Sequence, residues 1–367
     1  MKKYFLPLFF LTWSCEPWVN EFGNIEDAIL YESSAYTDPQ QDGSSPKVMT
    51  WNIRFGAARI PWFGDSCGDR VIMTEEEVLE NLQAMKHFLD TMAVKPDILL
   101  LQEVDVLSKR SAYIDQVQWL LDHTHFNYGA YASMWQVQFI PSDGLGRVDA
   151  GNVVLSRWPI TDAERIQLPL RTDQEDIVQY FYLRRNILKT KIEVPFADTF
   201  YALCTHTTAF ATDDTKQKHI DLFYDTITSI EDGAIYIAGG DLNSVPPGAD
   251  LDYCESDICS GESFHTKLNG EPHKEGSYFN NFFDEPDLIQ PFYEGSIFDT
   301  AIESTNANLD NNFTHAPWNT DFDNNVYWDR KLDYIISNSG LLDEGLTHQE
   351  ANQLSDHAPV SATLVLD

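Results

Sequence analysis

Basic side chains are scarce in this 367-residue chain: 24 Lys and Arg stand against 58 Asp and Glu, a formal net charge of −34 with histidine neutral. No basic run exceeds two residues. A protein that grips a long polyanion neutralises phosphates with clustered cations, so a broad nucleic-acid-binding face is excluded, while a bound metal ion is not. Cysteine is also rare, five in all, without the Cys and His clustering of a zinc site. Glycine-rich phosphate loops, dinucleotide fingerprints and internal repeats are missing, which removes nucleotide-fold and solenoid readings. Beyond the N-terminus no apolar run approaches the ~20 residues that span a bilayer. What is present is a hydrophobic fraction of 43% and an aromatic fraction of 13%. That content can offset the ordering entropy of a large core, so the chain folds as a globular protein.

The first residues read as an export signal. Met1-Lys2-Lys3 precedes an apolar run from Tyr4 to Trp13, then Ser14-Cys15. The run is too short to span and suits the core of a secretory signal. A small residue followed by Cys resembles a bacterial lipoprotein processing site, with Thr12 where such signals usually carry Leu. The alternative is an ordinary secretory signal cut a few residues later. Residues 1–14 are thus expected as signal, 15–45 as a flexible, acidic tether ending in a Pro39 to Pro46 stretch, and 46–367 as one folded domain. Localisation follows as exported, either a cell-envelope lipoprotein or extracellular, with membrane contact through a lipid on Cys15. Cys254 and Cys259 are placed for a small disulfide loop in an oxidising compartment, and Cys204, inside an apolar strand pattern, reads as a buried free thiol.

Short apolar strands alternate with amphipathic helices, the pattern of an α/β fold. Strands are expected at Lys47 to Arg54, Asp97 to Val104, Asn152 to Leu155, Tyr182 to Ile192, Phe200 to Thr205, Ala234 to Ala238, Leu332 to Ile336 and Val360 to Val365. Thr74 with Glu77 makes a capping box ahead of a helical stripe of Val78, Leu82, Met85 and Leu89. Ile114, Val117 and Leu121 mark a second helix, and Ile220, Phe223, Ile227 and Ile230 a third. Residues 246–330 break into polar, Gly- and Asn-rich sequence, a length of loop that is uncommon unless functional.

Several of these strands run directly into a residue that binds metals or moves protons: Asn52, Glu103, His206, Asp241 with Asn243, Asp333, and Asp356-His357. Each alone has an ordinary structural explanation, a strand terminator, a solvated acid or a turn-closing Asp. Together they are harder to dismiss, because ligand sites in α/β sheets lie outside strand ends. Hard oxygen donors from Asn, Glu and Asp suit Mg²⁺ or Mn²⁺. Among the few cations, Arg185 and Arg330 fall near these positions and are candidates to hold a non-bridging phosphate oxygen.

The series Thr50-Trp51-Asn52-Ile53-Arg54, Leu101-Gln102-Glu103-Val104-Asp105, Gly151 to Arg157, Thr205-His206, Gly240-Asp241-Leu242-Asn243, Leu332-Asp333-Tyr334 and Ser355-Asp356-His357-Ala358-Pro359 resembles the endonuclease/exonuclease/phosphatase superfamily, in that family's order, from about Lys47 to the end. The resemblance implies an α/β four-layered sandwich, two packed mixed β-sheets with helices on the outer faces, and divalent-metal-dependent phosphoester hydrolysis. It implies metal positions at Asn52, Glu103 and Asp356. It also implies that Asp241 and Asn243 orient the attacking water and the phosphate, that Asp333 holds a catalytic imidazole at His357, and that His206 is the second histidine seen in secreted deoxyribonucleases and sphingomyelinases.

The function expected is an exported Mg²⁺- or Mn²⁺-dependent phosphodiesterase, endonuclease-like or sphingomyelinase-like, acting as a monomer. Nucleic acid is a possible substrate but not a tight partner. The competing readings are an inert surface-binding domain on the same fold and a phosphomonoesterase acting on inositol phosphates.

Overall fold

The computed structural model describes residues 18–39, 45–64, 68–93, 95–249, 258–259, 262–263, 285–294, 298–303, 306–307, 309–316, 328–341 and 345–366. Two seven-stranded mixed sheets form its centre. The first contains β2 (Ile29–Glu32), β3 (Lys47–Asn52), β4 (Ile98–Asp105), β5 (Tyr128–Ile140), β6 (Gly146–Ser156), β15 (Leu346–Thr347) and β16 (Val360–Thr363), in the order β15-β16-β3-β4-β6-β5-β2. The second contains β1 (Ile25–Asp27), β7 (Ile160–Gln167), β8 (Asn186–Ile192), β9 (Phe200–His206), β10 (Ile235–Asp241), β13 (Asp299–Thr300) and β14 (Asp333–Ser337), in the order β1-β7-β8-β9-β10-β14-β13. A separate two-stranded pair joins β11 (Ile258–Cys259) to β12 (Glu262–Ser263).

Strand alternation makes the four layers, since successive side chains point to opposite faces. Val48, Ile98, Leu100 and Val154 of the first sheet meet Leu188, Ala202, Cys204 and Ile237 of the second in one buried cluster. Their neighbours Met49, Leu99, Leu101 and Val153 face outward onto α1 (Glu75–Thr91) and α2 (Gln116–His123) through Val78, Leu82, Val117 and Leu121. On the far side, Ile187, Leu203 and Tyr236 pack against Ile220, Phe223 and Ile227 of α4 (Thr215–Thr228). The short helices α3 (Asp176–Phe181) and α5 (Glu285–Leu288) lie in connections. α1 opens on the expected capping box, Thr74 Oγ1 accepting from Glu77 N at 3.2 Å and Glu77 Oε2 accepting from Thr74 N at 2.8 Å.

The tether expected over 15–45 is corrected where the structure describes it. Val19 pairs with Val137 on β5, β1 adds an edge strand to β7, and β2 adds one to β5. Weak alternation at an exposed edge hid these strands, because edge residues such as Ile25 and Leu30 stay solvent-facing while the backbone is paired. The strands β5 and β7 were not expected either. Cys15, the signal and the Cys254–Cys259 pairing lie outside the described residues; Cys204 is a buried free thiol. Among the described residues no helix is long and apolar enough to cross a membrane.

Candidate active site

Strand direction brings the chemistry-bearing residues to one end. β3 and β4 run parallel, so Asn52 and Glu103 emerge together, and the antiparallel β16 starts at that same end just after His357. In the second sheet β9 and β10 run parallel and end on His206 and Asp241, which are register partners. The antiparallel β14 begins there, with Asp333 opposite Asp241.

Local backbone irregularities aim the side chains. The β4 to β6 register shifts between Leu101 and Val104, and Glu103 inside this bulge has φ of 55°. A bulge re-aims one residue at a cost in strain, here turning Glu103 toward the site. Asn243 is also left-handed, φ 44°, with its amide donating to Asp241 Oδ1 at 2.9 Å. Gly240, φ 135°, leaves no room for a Cβ, which would sit 1.9 Å from Thr205 O.

Asp241 lies at the centre. Its Oδ2 accepts from Asn52 Nδ2 at 3.1 Å and lies 3.3 Å from His206 Nε2 and 3.8 Å from His357 Nε2. Asn52 Nδ2 also donates to Glu103 Oε1 at 3.2 Å, while Asn52 Oδ1 takes the Arg54 amide at 3.0 Å. His357 Nδ1 pairs with Asp333 Oδ2 at 2.8 Å. Oxygens and nitrogens of Asp241, Asp333 and His357 fall within 4.8 Å of one another, all buried.

Burial and neighbours divide the two histidines. Burial works against charge on His357, but Asp333 and Asp241 outweigh it and raise the imidazole to about 10. His206 is driven well below its ordinary range by burial, Arg185 and His357. One ring is therefore a cation and the other neutral at neutral pH. Burial raises Asp241 to about 7, against the pull of His357. Such a carboxylate gains from any further cation placed beside it.

The remaining expected residues sit around this centre. Arg185 is buried, donates to His206 O at 3.2 Å, and has a buried Nε without a hydrogen-bond partner. Arg330 pairs with Asp329 at 3.2 Å. Asp356 stands apart from the carboxylate group: it meets Arg54 Nε at 3.2 Å and is lowered to about 2, the Arg54 charge prevailing over burial. Three contributors were not singled out by sequence reasoning. Arg54 was inside a quoted motif without a role. Lys216, which donates to Asn243 O, and His315, whose ring lies 5.3 Å from that of His357, carry no local pattern, since their partners Glu285 and Asp329 are fixed only by tertiary structure.

The residues present fit a divalent cation. Glu103 and Asp241 offer hard oxygens on either side of Asn52, and Glu103 remains partly open to solvent. Asp333 Oδ1 is buried without a hydrogen-bond partner, so the site holds more acceptor capacity than its own donors satisfy.

The family model described as endonuclease/exonuclease/phosphatase family matches residues 49–357, and the chain belongs to that family. Its fold is similar to an endonuclease/exonuclease/phosphatase from Beutenbergia cavernae DSM 12333, with 18% identity, 88% of this chain and 72% of that chain covered, and a TM-score of 0.53. It is also similar to the human Nocturnin catalytic domain with bound sulfate (16%, 93% and 97%, 0.50). A Bacteroides vulgatus endonuclease/exonuclease/phosphatase gives 15%, 88% and 100%, and 0.50. No curated protein matches. Members of this family hydrolyse phosphoesters, and the four-layered sandwich is theirs.

Proposed function

We propose that this chain is an exported, metal-dependent phosphodiesterase held to a membrane by a lipid on Cys15. The observation that carries the catalytic reading is the convergence on Asp241 Oδ2 of Asn52, His206 and a His357 held by Asp333, with Glu103 on the other side of Asn52. Phosphoryl transfer is mostly positioning and electrostatics, and this arrangement supplies both.

Glu103 would hold Mg²⁺ or Mn²⁺, with Asn52 and Asp241 beside it; Asp356, drawn onto Arg54, offers charge rather than a free oxygen. When bound, the ion neutralises phosphate charge and polarises a phosphoryl oxygen. His357, fixed in tautomer and orientation by Asp333, sets a cation against the developing charge. Asp241, raised toward neutrality, orients a water and takes its proton. Asn243 lies beside it to steady the phosphate, and neutral His206 donates an Nε2–H hydrogen bond toward the leaving oxygen without giving up its proton. Arg185, buried beside these acids, grips a non-bridging oxygen, while Arg330 is held by Asp329.

The test is hydrolysis of bis(4-nitrophenyl) phosphate by the purified chain. Turnover should vanish on exhaustive chelation and return with Mg²⁺ or Mn²⁺. Full activity without divalent metal would sink the metal reading, and no turnover with metal restored would sink the phosphodiesterase reading.

A further inference from the structure

From Trp18 onward the chain is fixed to the body. Trp18 O accepts from Gln138 N at 2.7 Å, Asn20 N donates to Gln136 O at 3.0 Å, and Val19 is buried against Val137. Cys15 itself lies outside the described residues, but three residues reach at most ~11 Å. Whatever modifies Cys15 therefore stays close to Trp18.

Trp18 opens an apolar face. Its ring lies 6.2 Å from Phe139 and 6.4 Å from Phe181, and Phe181 lies 4.9 Å from Tyr180. Trp18 and Phe139 are each 52% exposed, and Ile177, one turn before Phe181 on α3, is 63% exposed. On α3, Ile177, Val178 and Tyr180 are exposed, and Phe181 is half-buried against the Val19 and Val137 cluster.

This face lies at the catalytic end. The β4 to β6 pairing stops at Asp105 and Ala150, but β5 and β6 continue together to Ile140 and Gly146. The β5–β6 ribbon thus projects past the end of β4 that carries Glu103, with Phe139 near its tip. From Phe181 the chain passes in four residues to Arg185, which donates to His206 O.

We propose that this face, Trp18, Phe139, Ile177, Tyr180 and Phe181, seats on the bilayer that receives the Cys15 lipid and turns the catalytic end toward the headgroups. The proposal rests on the anchored reading above. The occupant is argued from the reach of the chain and from charge: at −34 the protein is repelled by anionic lipid, so the surface it fits is zwitterionic and the contact apolar. The substrate class that follows is a phosphodiester presented in the plane of the headgroups.

The experiment uses the full chain, produced with its own N-terminus in a bacterial host, purified from membranes and reconstituted into phosphatidylcholine vesicles containing brominated acyl chains. Bromine should quench part of the tryptophan emission. Trp18→Phe should remove that quenched part, and Ile177→Asp with Phe139→Asp should reduce it at least twofold without shifting the melting temperature. Quenching identical in Trp18→Phe and the parent overturns the proposal. So does self-association that Ile177→Asp dissolves without any quenching, which would give the face to a second copy. The mass of the N-terminal peptide separates the two readings. An unacylated Cys15 removes the anchor and the proposal with it, whereas an acylated Cys15 with Trp18 unquenched overturns the orientation alone.

Discussion

Removing either partner of the Lys216–Glu285 pair should damage both stability and turnover, and removing both should damage stability less than the two singles combined. Lys216 Nζ lies 2.8 Å from Glu285 Oε2 and donates to Asn243 O at 2.5 Å, while Val245 N donates to Glu285 Oε1 at 2.9 Å. Both side chains are buried, so α4 and α5 together clamp the segment that follows Asp241. Lys216→Met or Glu285→Leu alone strands a buried charge, at a cost of ~3–5 kcal/mol. Independent effects would then total roughly 6–10 kcal/mol, twice that single cost. The double variant strands no charge and leaves two main-chain groups to find partners, ~1–3 kcal/mol each. The double should therefore cost several kcal/mol less than the sum. Urea denaturation of the parent, both singles and the double gives this coupling directly, and hydrolysis of the chromogenic diester by each folded variant reads the position of Asn243. Strict additivity would refute the reasoning, as would singles that unfold normally but keep full turnover.

Glu103→Gln, Asp241→Asn and His357→Ala should each lower turnover ~10²-fold or more while melting near the parent temperature, because each removes positioned electrostatics and not core packing; a collapsed fold in all three would refute the assignment. Asp173 is held low by Arg171, at 2.8 and 2.7 Å, and by Thr212. A depressed carboxylate stabilises the fold above its unfolded value of about 3.9 and loses that contribution as pH falls through the folded value. Asp173→Asn should thus lower the melting temperature at pH 7, with the gap closing below about pH 3, and a gap that persists in acid would refute it. Duplex DNA should bind Asp241→Asn weakly in a fluorescence-anisotropy salt series, with a slope far shallower than the roughly −5 to −9 of a protein making 6–10 phosphate contacts.

The cluster at the strand ends was legible because its residues sit where strands stop. Asn52, Glu103, His206 and Asp241 each follow an apolar run, and the almost wholly buried strands β3, β4, β9 and β10 write that run plainly. The capping box of α1 was legible for the same local reason. β5 mixes buried and half-exposed positions along 13 residues and shows no clean period. β1 and β2 are held by backbone pairing at the sheet edges, which leaves little trace in side-chain pattern. The charges of the histidines were not legible at all. His206 and His357 are the same residue at similar strand ends, and only Asp333 on one side and Arg185 on the other separate them.

The placement of the few cations argues for what the site accepts. Arg54 is bound to Asp356, Arg110 to Asp105, Arg171 to Asp173, Lys216 to Glu285 and Arg330 to Asp329. Each is largely committed to an acid of its own fold, so none contributes much to a field reaching far along a polyanion. Attraction for phosphate is instead concentrated within a few ångströms, at the His357 imidazolium, at Arg185, and at the carboxylates suited to a divalent cation. Short-range attraction of that kind suits one phosphoester group at a time. It works best when the substrate is already confined near the site, which a bilayer beside the β5–β6 ribbon would achieve without a basic surface.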